Sequence, residues 1–199
     1  MTNNPIKFGT DGWRGIIAED FTFENVRICA QATADYLKQK RVTGQGVVIG
    51  YDTRFASEDF AAASAEVLAG NGIKAYLTPK PAPTPVVSFG VVSQKASAGI
   101  IITASHNPAR YNGFKLKSED GASAPPEAIT ELEKHISRII KTGKVNRISL
   151  EDGLKKGLIQ YTDLDPKYFE QVARLVDLEA LSKANLKIIN DSMFGRPRL

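Results

Sequence analysis

One cysteine, Cys29, in 199 residues leaves no intrachain disulfide and no zinc site built from paired cysteines. A chain with no disulfide framework fits a reducing compartment, and a cytoplasmic location is the expectation. No run approaches the roughly 18 consecutive apolar residues of a membrane span. The start, Met1-Thr-Asn-Asn-Pro5, lacks a basic region followed by an apolar stretch, so neither a targeting signal nor membrane attachment is expected. There is no internal repeat, no low-complexity tract, no Walker loop and no dinucleotide fingerprint.

What is present is globular in character. Hydrophobic residues make up 42% and charged residues 24%, near the averages for folded domains and unlike disordered, collagen-like or coiled-coil chains. The length allows one domain, or one domain and the start of another. The net charge of +4 comes from 26 basic and 22 acidic residues, with the excess concentrated between Lys134 and Lys156. That stretch has neither interleaved aromatics nor a helix-turn-helix pattern, so it reads as a solvated helix end and linker, and no nucleic-acid partner is expected.

Apolar periodicity alternates between short runs and longer helical stripes. Ile6-Lys-Phe8 predicts a strand, followed by a glycine-rich loop from Gly9 to Gly15. A helix is predicted over Phe23 to Lys40, where Phe23, Val26, Ala30, Ala34 and Leu37 share one face. Gly46–Tyr51 is apolar on both faces, as in a parallel sheet covered on each side. Ser57 is a candidate cap for the next helix, and strand Lys74–Leu77 follows. Four prolines between Pro79 and Pro85 impose a loop before a short helix over Thr84–Ser93. Ala98–Thr103 reads as the most buried strand, and Gly113–Lys117 as another extended run. Ile129, Leu132, Ile136 and Ile139 then mark a helix. Pro166 opens a helix bearing Phe169, Val172, Leu175 and Val176, before a predicted strand at Leu186–Asp191. This alternation predicts α/β: a three-layer α/β/α domain with a mixed, mostly parallel sheet over 1–145, a linker over 146–165, and the start of a second α/β domain over 166–199.

In such sheets ligands bind beyond the carboxyl ends of the strands. Three clusters qualify: Gly9-Thr-Asp-Gly-Trp-Arg-Gly15, Tyr51-Asp-Thr-Arg54, and Thr103-Ala-Ser-His-Asn-Pro-Ala-Arg-Tyr-Asn-Gly-Phe-Lys115. In the third, an apolar strand opens onto Ser105 and His106, while Gly113 permits a return toward Lys115. Ser105 suits a nucleophile or phosphoryl carrier, and Lys115 suits proton movement or charge balance. The same residues also suit a plain capped turn. Arg14 and Arg54 divide between phosphate recognition and ion pairing, Arg14 with Asp11, Glu19 or Asp52. A serine hydrolase fits poorly: no Gly-x-Ser-x-Gly elbow surrounds Ser105, and the other histidine, His135, lies in a predicted surface helix.

Phe8-Gly-Thr-Asp-Gly-Trp-Arg-Gly15 together with Thr103-Ala-Ser-His-Asn-Pro108 and Asn112-Gly-Phe-Lys115 resembles the α-D-phosphohexomutase family. The likeness spans about residues 5–195 and covers the family's first domain and the beginning of its second, at Asn190–Gly195. It implies that Ser105 is a phosphoserine exchanging its phosphoryl group with a phosphorylated hexose through a hexose 1,6-bisphosphate. It further implies that Arg14 and Lys115 assist near the transferring oxygen, with His106 flanking the serine, and that Arg54, Asn107 and Asn112 contact substrate or phosphate. Mg²⁺ would bind through the Ser105 phosphate, but the family's Asp-Gly-Asp-x-Asp-Arg loop is absent from this sequence, and Asp163 and Asp165 do not replace it. After Gly195 the sequence departs from the family pattern, reading Arg196-Pro-Arg-Leu199. The expectation is therefore an incomplete enzyme, nearly inactive alone, with association through a surface left by missing domains. A phosphosugar- or partner-binding fragment without catalysis is the alternative, and a phosphatase that loses its phosphoserine to water is a third.

Overall fold

The structure, a computed structural model, describes residues 6–191. Six strands form one sheet: β1 (Trp13–Ile16), β2 (Val47–Tyr51), β3 (Ala75–Leu77), β4 (Ala98–Ile102), β5 (Tyr111–Lys117) and β6 (Ile159–Tyr161). Their order is β1-β5-β4-β2-β3-β6. β2 runs parallel to both β3 and β4, and β6 is parallel to β3. β5 is antiparallel to β4 and to β1. The sheet is thus mixed and mostly parallel, as the alternating pattern predicts.

The period of two sorts the central strands between two cores. Val47, Ile49 and Tyr51 of β2, with Ile100 and Ile102 of β4, join the larger core. That core is closed by helices α1 (Phe23–Lys40), α2 (Ser57–Gly70) and α4 (Pro126–Thr142). Val48 and Ile101 face the other way, onto Val86, Val87 and Val91 of α3 (Thr84–Ser93). Burying each such side chain contributes roughly 1.5–3 kcal/mol, which is why β2 and β4 lie at the centre. Two glycines let α3 approach closely: a Cβ on Gly50 would lie 2.3 Å from a Val87 methyl, and one on Gly99 would lie 2.6 Å from a Val91 methyl.

Helix α1 begins at Thr22, whose hydroxyl accepts the Asn25 amide at 3.2 Å. Ser57 does not cap α2: the cap is Ala56, in the left-handed region at φ 56°, and Ser57 turns its hydroxyl elsewhere. The strand expected at Ile6–Phe8 is not formed. Ile6 and Phe8 are buried, the Phe8 amide donates to Glu133, and the strand lies further on, at Trp13–Ile16, inside the segment read as a glycine loop. There β1 can approach β5 because Gly113 has no side chain to meet the Trp13 carbonyl, which would lie 2.9 Å from its Cβ.

The stretch 146–165, read as a linker, carries α5 (Leu150–Lys155) and β6, and β6 adds an edge strand to the sheet beside β3. Helix α6 (Asp165–Leu175) packs on α3, where the Tyr168 and Phe89 rings meet at 6.1 Å; α7 (Leu178–Lys183) follows. No strand forms at Leu186–Asp191, where Ile188 and Ile189 are 81% and 96% exposed. The remainder of the Asn190–Gly195 likeness, with Arg196–Leu199, lies outside the described residues. No helix among the described residues is long and apolar enough to cross a membrane.

Candidate functional site

β4 is buried along its whole length, and its exit carries the polar loop 103–110. The Thr103 amide still donates to the Gly113 carbonyl at 2.9 Å, and its hydroxyl then accepts the Ser105 amide at 2.9 Å. Ser105 stands at φ 57°, a left-handed conformation that costs a non-glycine residue on the order of 1 kcal/mol and persists only where its surroundings impose it. Its side chain is exposed, with Oγ 3.4 Å from Nδ1 of His106.

The loop is held by Arg54, which leaves the end of β2. Its Nη1 donates to the carbonyls of Pro108 and Tyr111, both at 2.9 Å. Nη2 donates to the carbonyls of Ser105 at 2.8 Å and Asn107 at 2.6 Å. Nε faces the Asp52 carboxylate at 3.3 Å. Four N–H groups of the guanidinium thus donate to carbonyls of the Ser105 loop, while Nε sits in ion-pair contact with Asp52. Asp52 in turn accepts the Arg54 amide and the Ser57 hydroxyl, at 3.0 and 2.8 Å.

Asn112 completes that network. It is fully buried, its amide nitrogen donating to Ser57 at 2.9 Å and its oxygen accepting the Gly113 amide at 2.9 Å. Both ends of the side-chain amide thus bond within the fold.

Arg14 and Lys115 lie on one face of the β1–β5 pair. Arg14 is opposite Gly113, and Lys115 is two residues further along β5. Arg14 donates to the Asn107 side chain at 2.6 Å, joining β1 directly to the Ser105 loop. It forms no ion pair with Asp11, Glu19 or Asp52; the acid beside this face, Asp11, bonds the Lys115 ammonium instead. Lys115 is buried, while the Asp11 side chain is 43% exposed. Asp11 also accepts the Ser123 hydroxyl at 3.1 Å, and Ser123 accepts a hydrogen bond from Lys117 at 3.2 Å. Burial alone would raise the Asp11 carboxyl, but the bond and charge of Lys115, with the Ser123 hydroxyl, hold it below the ordinary 3.8. Lys117 is pushed below its ordinary value, chiefly by burial.

The structure therefore brings Ser105, His106, Asn107 and Arg14 together around one loop, places Lys115 on the adjoining strand, and assigns Arg54 and Asn112 to the loop's support. Ser57 and Ser123 are the partners that sequence reasoning missed; Asp11 and Asp52, which it offered as ion-pair partners of Arg14, pair instead with Lys115 and Arg54. Only one signal was available for part of this: the period of two in Asn112-Gly-Phe-Lys-Leu-Lys117 puts both lysines on one face.

Among the described residues no group of three or more His, Cys, Asp or Glu could hold a metal ion. The carboxylates nearest this chemistry, Asp11 and Asp52, are engaged by Lys115 and Arg54. The described residues do not by themselves fit the oxygen-rich shell that Mg²⁺ requires.

Comparison with known proteins gives a consistent result. Residues 5–143 match the family described as phosphoglucomutase/phosphomannomutase, alpha/beta/alpha domain I. The phosphoglucomutase of Staphylococcus saprophyticus is 35% identical over 195 residues, covering 96% of this chain and 35% of that protein. The phosphoglucosamine mutase of Carboxydothermus hydrogenoformans is 38% identical over 129 residues, 65% of this chain and 29% of that protein. The crystal structure of an inferred phosphomannomutase from Thermus thermophilus superposes with a TM-score of 0.78 at 38% identity, covering 89% of this chain and 38% of that one. The chain thus spans about a third of the length of the relatives it matches.

Proposed function

Because this chain belongs to the α-D-phosphohexomutase family of phosphoglucomutases and phosphomannomutases, we propose that it carries the phosphoryl-transfer serine of a mutase interconverting hexose 1-phosphate and hexose 6-phosphate. Ser105 is the carrier. Its Oγ–phosphorus bond breaks as a bond forms to a hydroxyl oxygen of the bound hexose phosphate, giving a hexose 1,6-bisphosphate. The other phosphoryl group of that intermediate then returns to Oγ. The sugar hydroxyl proton passes through the Lys115 ammonium to the Asp11 carboxylate that it bonds, and returns to the sugar oxygen as the second phosphoryl group leaves; Arg14 and Lys115 supply positive charge beside the transferring oxygens throughout. Phosphoryl transfer depends mainly on positioning and charge neutralisation, so a preset nucleophile loop is the part this chain most needs to contribute.

The observation that carries this reading is the Ser105 loop: an exposed hydroxyl at the exit of a fully buried strand, in a conformation imposed by hydrogen bonds and tied to Arg14 through Asn107. A turn that served only to reverse the chain would not need Arg14 and Arg54 converging on it from two other strands. No step is assigned to Mg²⁺, for which the described residues offer no ligand set.

The test is the intact mass of the chain before and after incubation with glucose 1,6-bisphosphate and Mg²⁺, with Ser105→Ala in parallel. A gain of one phosphate by the native chain and none by the variant is the expected result. Uptake by both, or by neither in folded samples, overturns it.

A further inference from the structure

Resting on the reading of Ser105 as carrier, we propose that Arg54 is the positioning residue that sets the reactive conformation of the Ser105 loop, acting as a template for its carbonyls and not as a ligand for phosphate. Four of the seven carbonyls between Ser105 and Tyr111 converge on this one guanidinium, at 2.6 to 2.9 Å. Such charge-assisted bonds are roughly twice as strong as neutral ones.

Two bonds matter most. The Ser105 amide is held by the Thr103 hydroxyl, and the Ser105 carbonyl by Arg54. Both peptide groups flanking the serine are therefore pinned, which fixes its backbone at φ 57° and leaves only the side chain to rotate. A left-handed serine would otherwise relax toward ordinary dihedrals and carry Oγ away from the direction in which the loop presents it.

The template is itself anchored. Asp52 faces Nε of Arg54, accepts its amide, and takes the Ser57 hydroxyl, which in turn accepts from buried Asn112 on β5. The guanidinium thus spans three strands' worth of backbone: it leaves β2, grips the loop after β4, and is braced from β5. Lysine cannot replace it, since one ammonium nitrogen offers three N–H groups from a single point and cannot reach four carbonyls along a planar fork.

The experiment compares the native chain with Arg54→Lys and Arg54→Ala. Amide hydrogen exchange is followed at Asn107 and Tyr111, whose N–H groups bond within the loop, and at β4 and α2 as references. Ser105 phosphate uptake from glucose 1,6-bisphosphate with Mg²⁺ is followed as a function of bisphosphate concentration. Both variants should exchange about tenfold faster or more at the loop amides, given what bonds to charged groups are worth, with β4 unchanged. Uptake at saturating bisphosphate should fall about 100-fold, as expected when a reacting group is misplaced by about 1 Å, while the half-saturating concentration stays near native.

Native loop exchange in Arg54→Lys overturns the template. So does a rise in half-saturating concentration without loss of the saturated rate, which would mark Arg54 as a phosphate ligand. Faster exchange spread evenly over β4 and α2 in both variants also overturns it, by showing a general structural role. If the native chain takes no phosphate at all, the function proposed for Ser105 fails, and the exchange measurement still decides the role of Arg54.

Discussion

On one side of the Ser105 loop, Arg54, Asp52, Ser57 and Asn112 form a chain of contacts that closes inside the protein, with Asn112 and Ser57 buried and four guanidinium N–H groups bonded to loop carbonyls. On the other side, Arg14 reaches the loop through Asn107, and Lys115 sits buried against Asp11, whose carboxylate is 43% exposed. Both sides contain a basic residue beside an acid. The closed side spends its donors on backbone and sets shape; on the half-open side Arg14 is partly exposed beside the loop. Charge type alone does not separate support from chemistry; the destination of each donor does.

The sharpest way to break this contrast is at Lys115. Lys115→Met keeps the length and apolar stem of a side chain that is only 7% exposed and removes the ammonium. Serine phosphate uptake should slow by about 10²- to 10⁴-fold, the usual span for losing a proton-transfer group, with the circular dichroism spectrum unchanged. A native rate would place Lys115 with the supporting residues.

Asn112→Ala probes the closed side. It strands the buried Gly113 amide and removes a partner of Ser57, and should cost about 1–3 kcal/mol of stability, the range for an orphaned buried group. Thermal unfolding would show this as a midpoint several degrees lower. An unchanged midpoint would mean that the network is not needed for stability.

The smallest effect is expected at Asp11. Its carboxyl is held below 3.8 in the folded chain, so its contribution is present above the unfolded value of about 3.9 and is lost as pH falls through the lowered one. Asp11→Asn should lower stability near neutral pH by no more than about 1 kcal/mol, since the carboxylate is substantially solvated. The difference between native and variant midpoints should shrink as pH falls below about 3.8. A gap that widened on acidification would contradict the assignment.

Much of the fold is visible from periodicity because the central elements are long or apolar on both faces. The helix read over Phe23 to Lys40 and the strand ending at Tyr51 appear where the pattern puts them. The misses share one cause. Ile6 and Phe8 alternate like a strand and are buried, and Leu186–Asp191 is as apolar as a strand, yet neither segment joins the sheet. Helix α6 makes the same point: its stripe resembles that of α4, but Phe169 and Leu175 are 57% and 75% exposed while Leu132 and Ile136 are fully buried against α1. An apolar pattern records what a segment can bury and says nothing of whether a neighbour arrives.

The site divides in the same manner. The amino-acid sequence by itself determined the alternation of strands and helices, the family motifs, and the candidacy of Ser105, Arg14 and Lys115, because each is written in residue type and short spacing. Only the tertiary structure decided that Arg54 grips carbonyls 51 to 57 residues away, that Asn112 faces inward, and that Asp11 meets Lys115 across 104 residues. Those partners become neighbours through a strand order that sets β4 beside both β2 and β5, and β5 beside β1. Hydrogen bonds act over about 3 Å, so their choice follows sheet order, which no local period encodes.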